Sequence, residues 1–292
     1  MTTRVDAHHH LWDLSARRHD WLDGAETARI RRDFGVADLE AVTAPAGIDR
    51  TVLVQVLPDL DETFEFLALA AANPLIAGVV GWADLTSSTV DADLERLRTA
   101  PGGELLTGIR HLVQAEPDPR WLVRDDVLRG LRAVRDAGLA YDLLVVPHQL
   151  PATIEAVRAV PGLTFVLDHL GKPPIATGET DPWAGHLKTL AAEPGVTAKI
   201  SGLVTEADRE HWTAGDLRPY VETALAAFGP DRLMLGSDWP VCLLAAGYET
   251  VWRATESLLT ELTGAERAEI RGGTASRVYR LDPSSSPTSG SG

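Results

Sequence analysis

Arg4-Val5-Asp6-Ala7-His8-His9-His10-Leu11-Trp12-Asp13 begins with apolar–polar alternation and ends in three histidines, a tryptophan and an acid. In an extended strand successive side chains point to opposite faces, so His8 and His10 share a face and His9 points the other way. Two imidazoles on one face can grip a metal ion or polarise a carbonyl. The histidines lie inside a strand-like segment and not in a Gly/Ser tail, which distinguishes them from a purification-tag remnant.

Working outward, the same kind of strand recurs. Apolar, β-branched runs fall at residues 51–56, 76–82, 106–113, 139–146, 163–169, 196–202 and 232–238. Helical patterns fall between them, at 36–46, from Asp59 with Glu62 as a capping-box-like start, and at 88–99, 126–137, 150–160, 182–192 and 216–228. A final helix carries Val251, Ala254, Leu258, Leu259 and Leu262. Eight strands alternating with helices are the pattern of parallel βαβ units that close a TIM-like (β/α)8 barrel in a single α/β domain. A doubly wound open sheet is the alternative, but no glycine-rich phosphate loop follows the first strand. A polar loop at 15–33 is long enough to cover a site. Thr263 to Glu266 form a capping box for a short helix expected to end near Gly272-Gly273, and a last turn from Thr274 to Tyr279 is expected to pack back on the barrel. The domain is expected over residues 1–281, with 282–292 a disordered Ser/Pro/Gly tail.

Composition narrows the class. The chain has 292 residues, 45% hydrophobic and 24% charged, enough for a sizeable core. A formal charge of −15 argues against nucleic-acid or anionic-membrane partners. One cysteine, Cys242, precludes an internal disulfide and fits a reducing compartment. No apolar run of about 18 residues predicts a membrane span, and the N-terminus lacks a signal-peptide pattern, so a cytoplasmic enzyme is expected.

Active sites of such barrels lie at the C-terminal ends of several strands. Those ends carry His8 and His10, Arg110 and His111, His169, Lys199 and Ser201, and Asp238. Each has a plain reading: a satisfied core histidine, a snorkelling lysine, a turn-capping aspartate. Their recurrence at five strand ends favours chemistry. The set suits attack of water on a carbonyl, with Asp238 as general base. His8, His10, His169 and Asp238 offer a mixed nitrogen and oxygen set for one divalent metal, zinc above others. Without metal, Arg110 and the imidazoles would stabilise the oxyanion. Trp12, Trp82 and Trp239 could wall the mouth.

The segments Asp6-Ala7-His8-His9-His10-Leu11-Trp12, Gly108-Ile109-Arg110-His111, Val166 to Pro173, Lys199-Ile200-Ser201-Gly202-Leu203 and Leu235 to Cys242 together resemble the lactonase branch of the amidohydrolase superfamily, most closely its L-fuconolactonase and L-rhamnonolactonase-like members. The resemblance runs from about Val5 to Leu281. It implies a distorted (β/α)8 barrel that hydrolyses an aldonolactone to the sugar acid, with Asp238 activating water. Strand four ends in Arg110-His111 and lacks the lysine of the superfamily's two-metal centres, so the resemblance implies one metal or none. It leaves His111 or Lys199 to contact substrate or protonate the leaving ring oxygen, with Trp82 and Trp12 as further substrate contacts. Arg110 could instead pair with a substrate carboxylate through its planar fork, which would favour a pyrone- or muconolactone-type dicarboxylate. A metal-dependent decarboxylase or amide hydrolase and a catalytically dead sugar-binding barrel are the other readings. The partner is a small lactone, and monomer and homodimer both remain open.

Overall fold

The computed structural model describes residues 3–281. The tail expected at 282–292 lies outside the described residues. Eight parallel strands pair in sequence order: β1 Val5–His9, β2 Arg50–Val54, β3 Ile76–Gly81, β4 Leu106–His111, β5 Ala140–Leu143, β6 Thr164–Leu167, β7 Val196–Ile200 and β8 Leu233–Leu235. They are buried on both faces, as strands wrapped in helices must be. The ring closes between β1 and the segment just after β8, through a bridge of His9 with Trp239. The expected TIM-like barrel is therefore the observed one.

The surrounding helices are α1 Val36–Ala46, α2 Leu60–Ala72, α3 Val90–Thr99, α4 Asp125–Asp136, α5 Leu150–Ala159, α6 Trp183–Ala191, α7 Leu203–Glu206, α8 Ala214–Phe228, α9 Tyr248–Ser257, α10 Gly264–Ala268 and α11 Thr274–Tyr279. Gly47 stops α1 in the left-handed conformation at φ 65°. Between α10 and α11 the helix widens into one π-type turn, Glu269–Gly273, and does not end at the glycine pair. A side chain at Gly272 would strike the Thr3 carbonyl at 2.1 Å, so only glycine lets this turn lie against the start of the barrel. Ala275 and Tyr279 of α11, with Leu281, pack against Val5, Val52, Val80, Ala140, Val166 and Met234. The last turn packs on the barrel as the sequence suggests.

The loop at 15–33 contains two 3-10 turns, Asp20–Leu22 and Ala25–Ile30. Several strands end earlier than hydrophobicity alone implies. β6 stops at Leu167 and β8 at Leu235, and His169 and Asp238 that follow adopt positive φ, 54° and 56°. The chain turns sharply there, and the polar side chains leave the ladder. Helix α7 has no counterpart among the expected elements. Among the described residues no helix is long and apolar enough to cross a membrane.

Candidate active site

Strand β1 delivers the alternation its sequence implies. His9 turns away and its Nε2 lies 2.9 Å from Thr51 Oγ1, with burial holding its pKa down to about 3. His10 Nδ1 lies 2.8 Å from the Val54 carbonyl, which only accepts, so Nδ1 carries a proton and Nε2 is the atom turned to the site. That Nε2 is 3.1 Å from His8 Nε2 and 3.4 Å from Asp238 Oδ1, and His8 Nε2 is 3.6 Å from the same oxygen. On its other edge His8 Nδ1 faces Asp168 Oδ1 at 3.3 Å and Lys199 Nζ at 3.2 Å.

Asp238 and His169 sit at left-handed positions, a conformation that costs a non-glycine residue about 1–2 kcal/mol and clusters at functional sites. Burial alone would raise the Asp238 carboxyl, but the surrounding imidazoles of His169, His10 and His8 outweigh it and hold the pKa far below the usual carboxylate range. His169 Nδ1 lies 2.8 Å from Ser201 Oγ, and its Nε2 is 3.9 Å from Asp238 Oδ1. Gly202 backs this corner: a Cβ there would lie 2.5 Å from His169 Nδ1.

Beneath this layer lies a buried ionic layer. Arg110 donates from Nε to Gln55 Oε1 at 2.9 Å, from NH2 to the Gln55 carbonyl at 2.5 Å and from NH1 to Asp168 Oδ2 at 3.0 Å. Lys199 Nζ lies 2.6 Å from Asp142 Oδ2 and 3.0 Å from Asp168 Oδ1. Tyr279, rising from α11, donates to Asp142 at 2.8 Å. Burial would raise Asp168, but Lys199, His8 and Arg110 prevail and hold it well below the carboxylate range. Burial prevails at Asp142, which is pushed up to about 6.

Several sequence-based assignments change here. Lys199 is not placed to touch substrate or the leaving oxygen: its ammonium is fully buried on the Nδ1 side of His8, whereas His10 and Asp238 lie on the Nε2 side. Arg110 is engaged with Gln55 and Asp168, and its NH1 also lies 3.4 Å from His8 Nε2, so it presents no free fork. His111 points away from Arg110 as strand alternation requires. It accepts from Trp82 Nε1 at 3.0 Å, meets Glu116 at 2.8 Å and stacks on Trp121. Both ring nitrogens are thus engaged, and Trp82 belongs to the same cluster. Trp12 is buried, donates to the Arg32 carbonyl and packs on Phe34, which packs on Trp239. Those rings link it to the turn that carries Asp238.

The residues not assigned from sequence are Asp6, Gln55, Asp142, Asp168, Ser237, Tyr248 and Tyr279. Asp6 and Asp168 sit inside the quoted motifs, and their signal was an acid in an otherwise apolar strand context. Tyr279 and Tyr248 reach the barrel from distant helices and left no local signal.

The donors converge as a metal site does. His8 Nε2, His10 Nε2 and Asp238 Oδ1 lie together, and the outer edges of both imidazoles face oxygen atoms, as ligating histidines usually do. His8, Asp168 and His169 form a second, overlapping set. The buried carboxylates Asp6, Asp142, Asp168 and Asp238 outnumber the buried cations Arg110 and Lys199. An excess of buried negative charge beside convergent imidazole nitrogens fits a divalent cation.

Comparison with known proteins agrees with this geometry. The amidohydrolase family model matches residues 5–281. L-fucono-1,5-lactonase of Burkholderia ambifaria is 40% identical, over 97% of this chain and 97% of that protein. L-rhamnono-gamma-lactonase of Scheffersomyces stipitis is 26% identical over 56% of this chain and 54% of that protein. The crystal structure of an amidohydrolase from Burkholderia multivorans with bound zinc superposes with a TM-score of 0.90 at 38% identity, covering 96% of this chain and 100% of that one.

Proposed function

Because the chain belongs to the amidohydrolase family, we propose that its barrel mouth opens a sugar lactone to the free sugar acid, as a carboxylic ester hydrolase acting on L-fucono- or L-rhamnono-type aldonolactones. The observation that carries this reading is the convergence of His8, His10 and His169 on the carboxylate of Asp238. The activities named for the two lactonase relatives support the substrate class.

Asp238, ionised across the neutral range, takes a proton from water as the water oxygen bonds to the lactone carbonyl carbon. The carbon–ring-oxygen bond then breaks, and the ring oxygen leaves as a hydroxyl with that proton. The new carboxylic acid ionises, so each turnover releases one proton to solvent. A metal held by His8, His10 and Asp238, zinc being the best match to these donors, would polarise the carbonyl and acidify the water. His169, fixed by Ser201, borders the same oxygen of Asp238 and keeps that carboxylate facing the reacting water. Arg110 sets the charge of the layer below by pairing with Asp168.

The committed guanidinium also bears on the dicarboxylate alternative. A second substrate carboxylate would look for a planar fork, and the Arg110 fork is spent within the barrel. An uncharged sugar lactone needs no such partner.

The test is proton release from a panel of 1,4- and 1,5-aldonolactones, including L-fucono- and L-rhamnono-lactones, with and without prior chelation. Rapid release on one stereochemical series is expected. Release at the spontaneous rate on every sugar lactone refutes the substrate class, and equal rates in both lanes refute the metal's role.

A further inference from the structure

The barrel is laddered by strand pairing from β1 round to β8, but the seam that returns to β1 is different. Strand β8 has already ended at Leu235, and the segment Gly236 to Trp239 must close the ring. Two backbone bonds cross the seam: Asp238 N to the His8 carbonyl at 2.8 Å, and His10 N to the Trp239 carbonyl at 2.7 Å. Next to them Ser237 N meets a side chain where a ladder would supply a carbonyl. It donates to Asp6 Oδ1 at 2.8 Å.

Asp6 collects further donors. Ser237 Oγ donates to its Oδ2 at 2.6 Å, Tyr248 Oη from α9 donates to the same oxygen at 3.0 Å, and His8 N approaches Oδ1 at 3.2 Å. Ser237 Oγ accepts in turn from Trp239 N at 3.0 Å. One buried carboxylate thus ties down the residues on both sides of Asp238. A non-glycine residue keeps a positive φ only where its surroundings over-determine the backbone. At Asp238 this restraint comes from the seam bonds and from Asp6. Burying a carboxylate is costly, and these donors offset part of that cost, burial still raising the Asp6 carboxyl to about 6.

We infer that Asp6 is the positioning residue for Asp238: held in place by Tyr248 and acting through Ser237, it holds the turn that aims the Asp238 carboxylate at His8 and His10. Asp6 touches no substrate and takes no proton in the reaction. The kinetic consequence rests on the lactonase reading, but the placement does not.

Asp6→Asn replaces one acceptor oxygen by a donor facing Ser237 and Tyr248. On the accepted lactone its kcat is expected to fall about 10–100-fold, the usual effect of losing an outer-shell partner, while KM changes by less than about threefold. Tyr248→Phe, which removes a single donor, is expected to lose less. In an Asp238→Asn background Asp6→Asn is expected to cost less than about twofold more, because a group acting only through another adds nothing once that other is gone. A merely structural role would give a loss that adds in full.

Crystal structures of the wild type and Asp6→Asn decide the placement without turnover. The expected result is an Asp238 carboxylate drawn away from His10 Nε2. Ser237→Ala, which keeps Asp6 and the backbone bond to its Oδ1 but removes the hydroxyl that joins Asp6 to Trp239 N, carries the same readout, with a smaller displacement, if Asp6→Asn does not accumulate folded. An undisplaced Asp238 in the variant, or a fully additive kinetic loss, overturns the inference. If the wild type opens no lactone, the proposed reaction fails while the position of Asp238 still decides the role of Asp6.

Discussion

His8 Nε2 and His10 Nε2 face each other across 3.1 Å, and the His10 ring is fixed in that orientation by the bond from its Nδ1 to the Val54 carbonyl. With Asp238 Oδ1 beside both, the three atoms enclose a point suited to a cation. His10→Ala is expected to weaken zinc binding by at least about 100-fold, beyond the usual loss of an outer-shell partner. His9→Ala should leave it unchanged, since that ring bonds Thr51 on the other face. Competition with a chromophoric chelator measures both. Wild-type zinc affinity in His10→Ala would remove His10 from the ligand set.

Gly202 separates backbone conformation from side-chain placement. Its φ of 62° and the 2.5 Å approach of a Cβ to His169 Nδ1 leave no room for a methyl group. Gly202→Ala is expected to cost about 1–2 kcal/mol in backbone conformation alone. It should also lower kcat, on the order of tenfold or more, by pushing His169 off Ser201. Thermal melting and lactone turnover check the two effects. A variant with full activity would show that His169 has slack and its exact seat is immaterial.

The first strand was legible because alternation assigns faces without reference to the rest of the chain: His8 and His10 share one and His9 takes the other. The barrel was legible because strands buried on both faces need apolar residues throughout, and such runs stand out between amphipathic helices. What sequence could not resolve was depth. Lys199 and Arg110 each fall near a strand end, but whether such a side chain meets solvent or a buried carboxylate depends on residues from other strands. Asp142, Asp168 and Gln55 settle it here. His111 neighbours Arg110, and alternation sends the two opposite ways, His111 into the cluster of Trp82, Glu116 and Trp121. The sharp turns at His169 and Asp238 were hidden because positive φ at a non-glycine residue is set by tertiary bonds.

The depth of Lys199 has a measurable consequence. Its ammonium is ringed by Asp142, Asp168 and His8 with no access to water. Lys199→Met keeps much of the volume but leaves the two carboxylates underpaired, and breaking a buried pair in this way costs about 3–5 kcal/mol. Denaturant unfolding should register that loss. A variant of unchanged stability with a raised KM would return Lys199 to the substrate contacts.

Glu62 supplies a pH signature away from the site. It does not close a capping box on α2; Asp59 caps that helix by accepting from Asp61 N. The Glu62 carboxylate is buried and instead accepts from Val56 N at 2.8 Å and Leu57 N at 3.0 Å, at the end of β2. Burial prevails over these bonds and over Arg17, and raises its pKa from 4.5 to about 7. Over that interval the folded chain keeps a proton that the unfolded chain releases. The Glu62 contribution to stability is therefore greatest below about pH 4.5, falls as pH rises toward 7 and levels off above it. Glu62→Gln should flatten this part of the pH dependence, leaving the slopes due to other groups. Urea unfolding of both proteins at intervals from pH 4.5 to 7.5 measures the difference, and parallel curves would mean that Glu62 is ionised in the folded chain throughout.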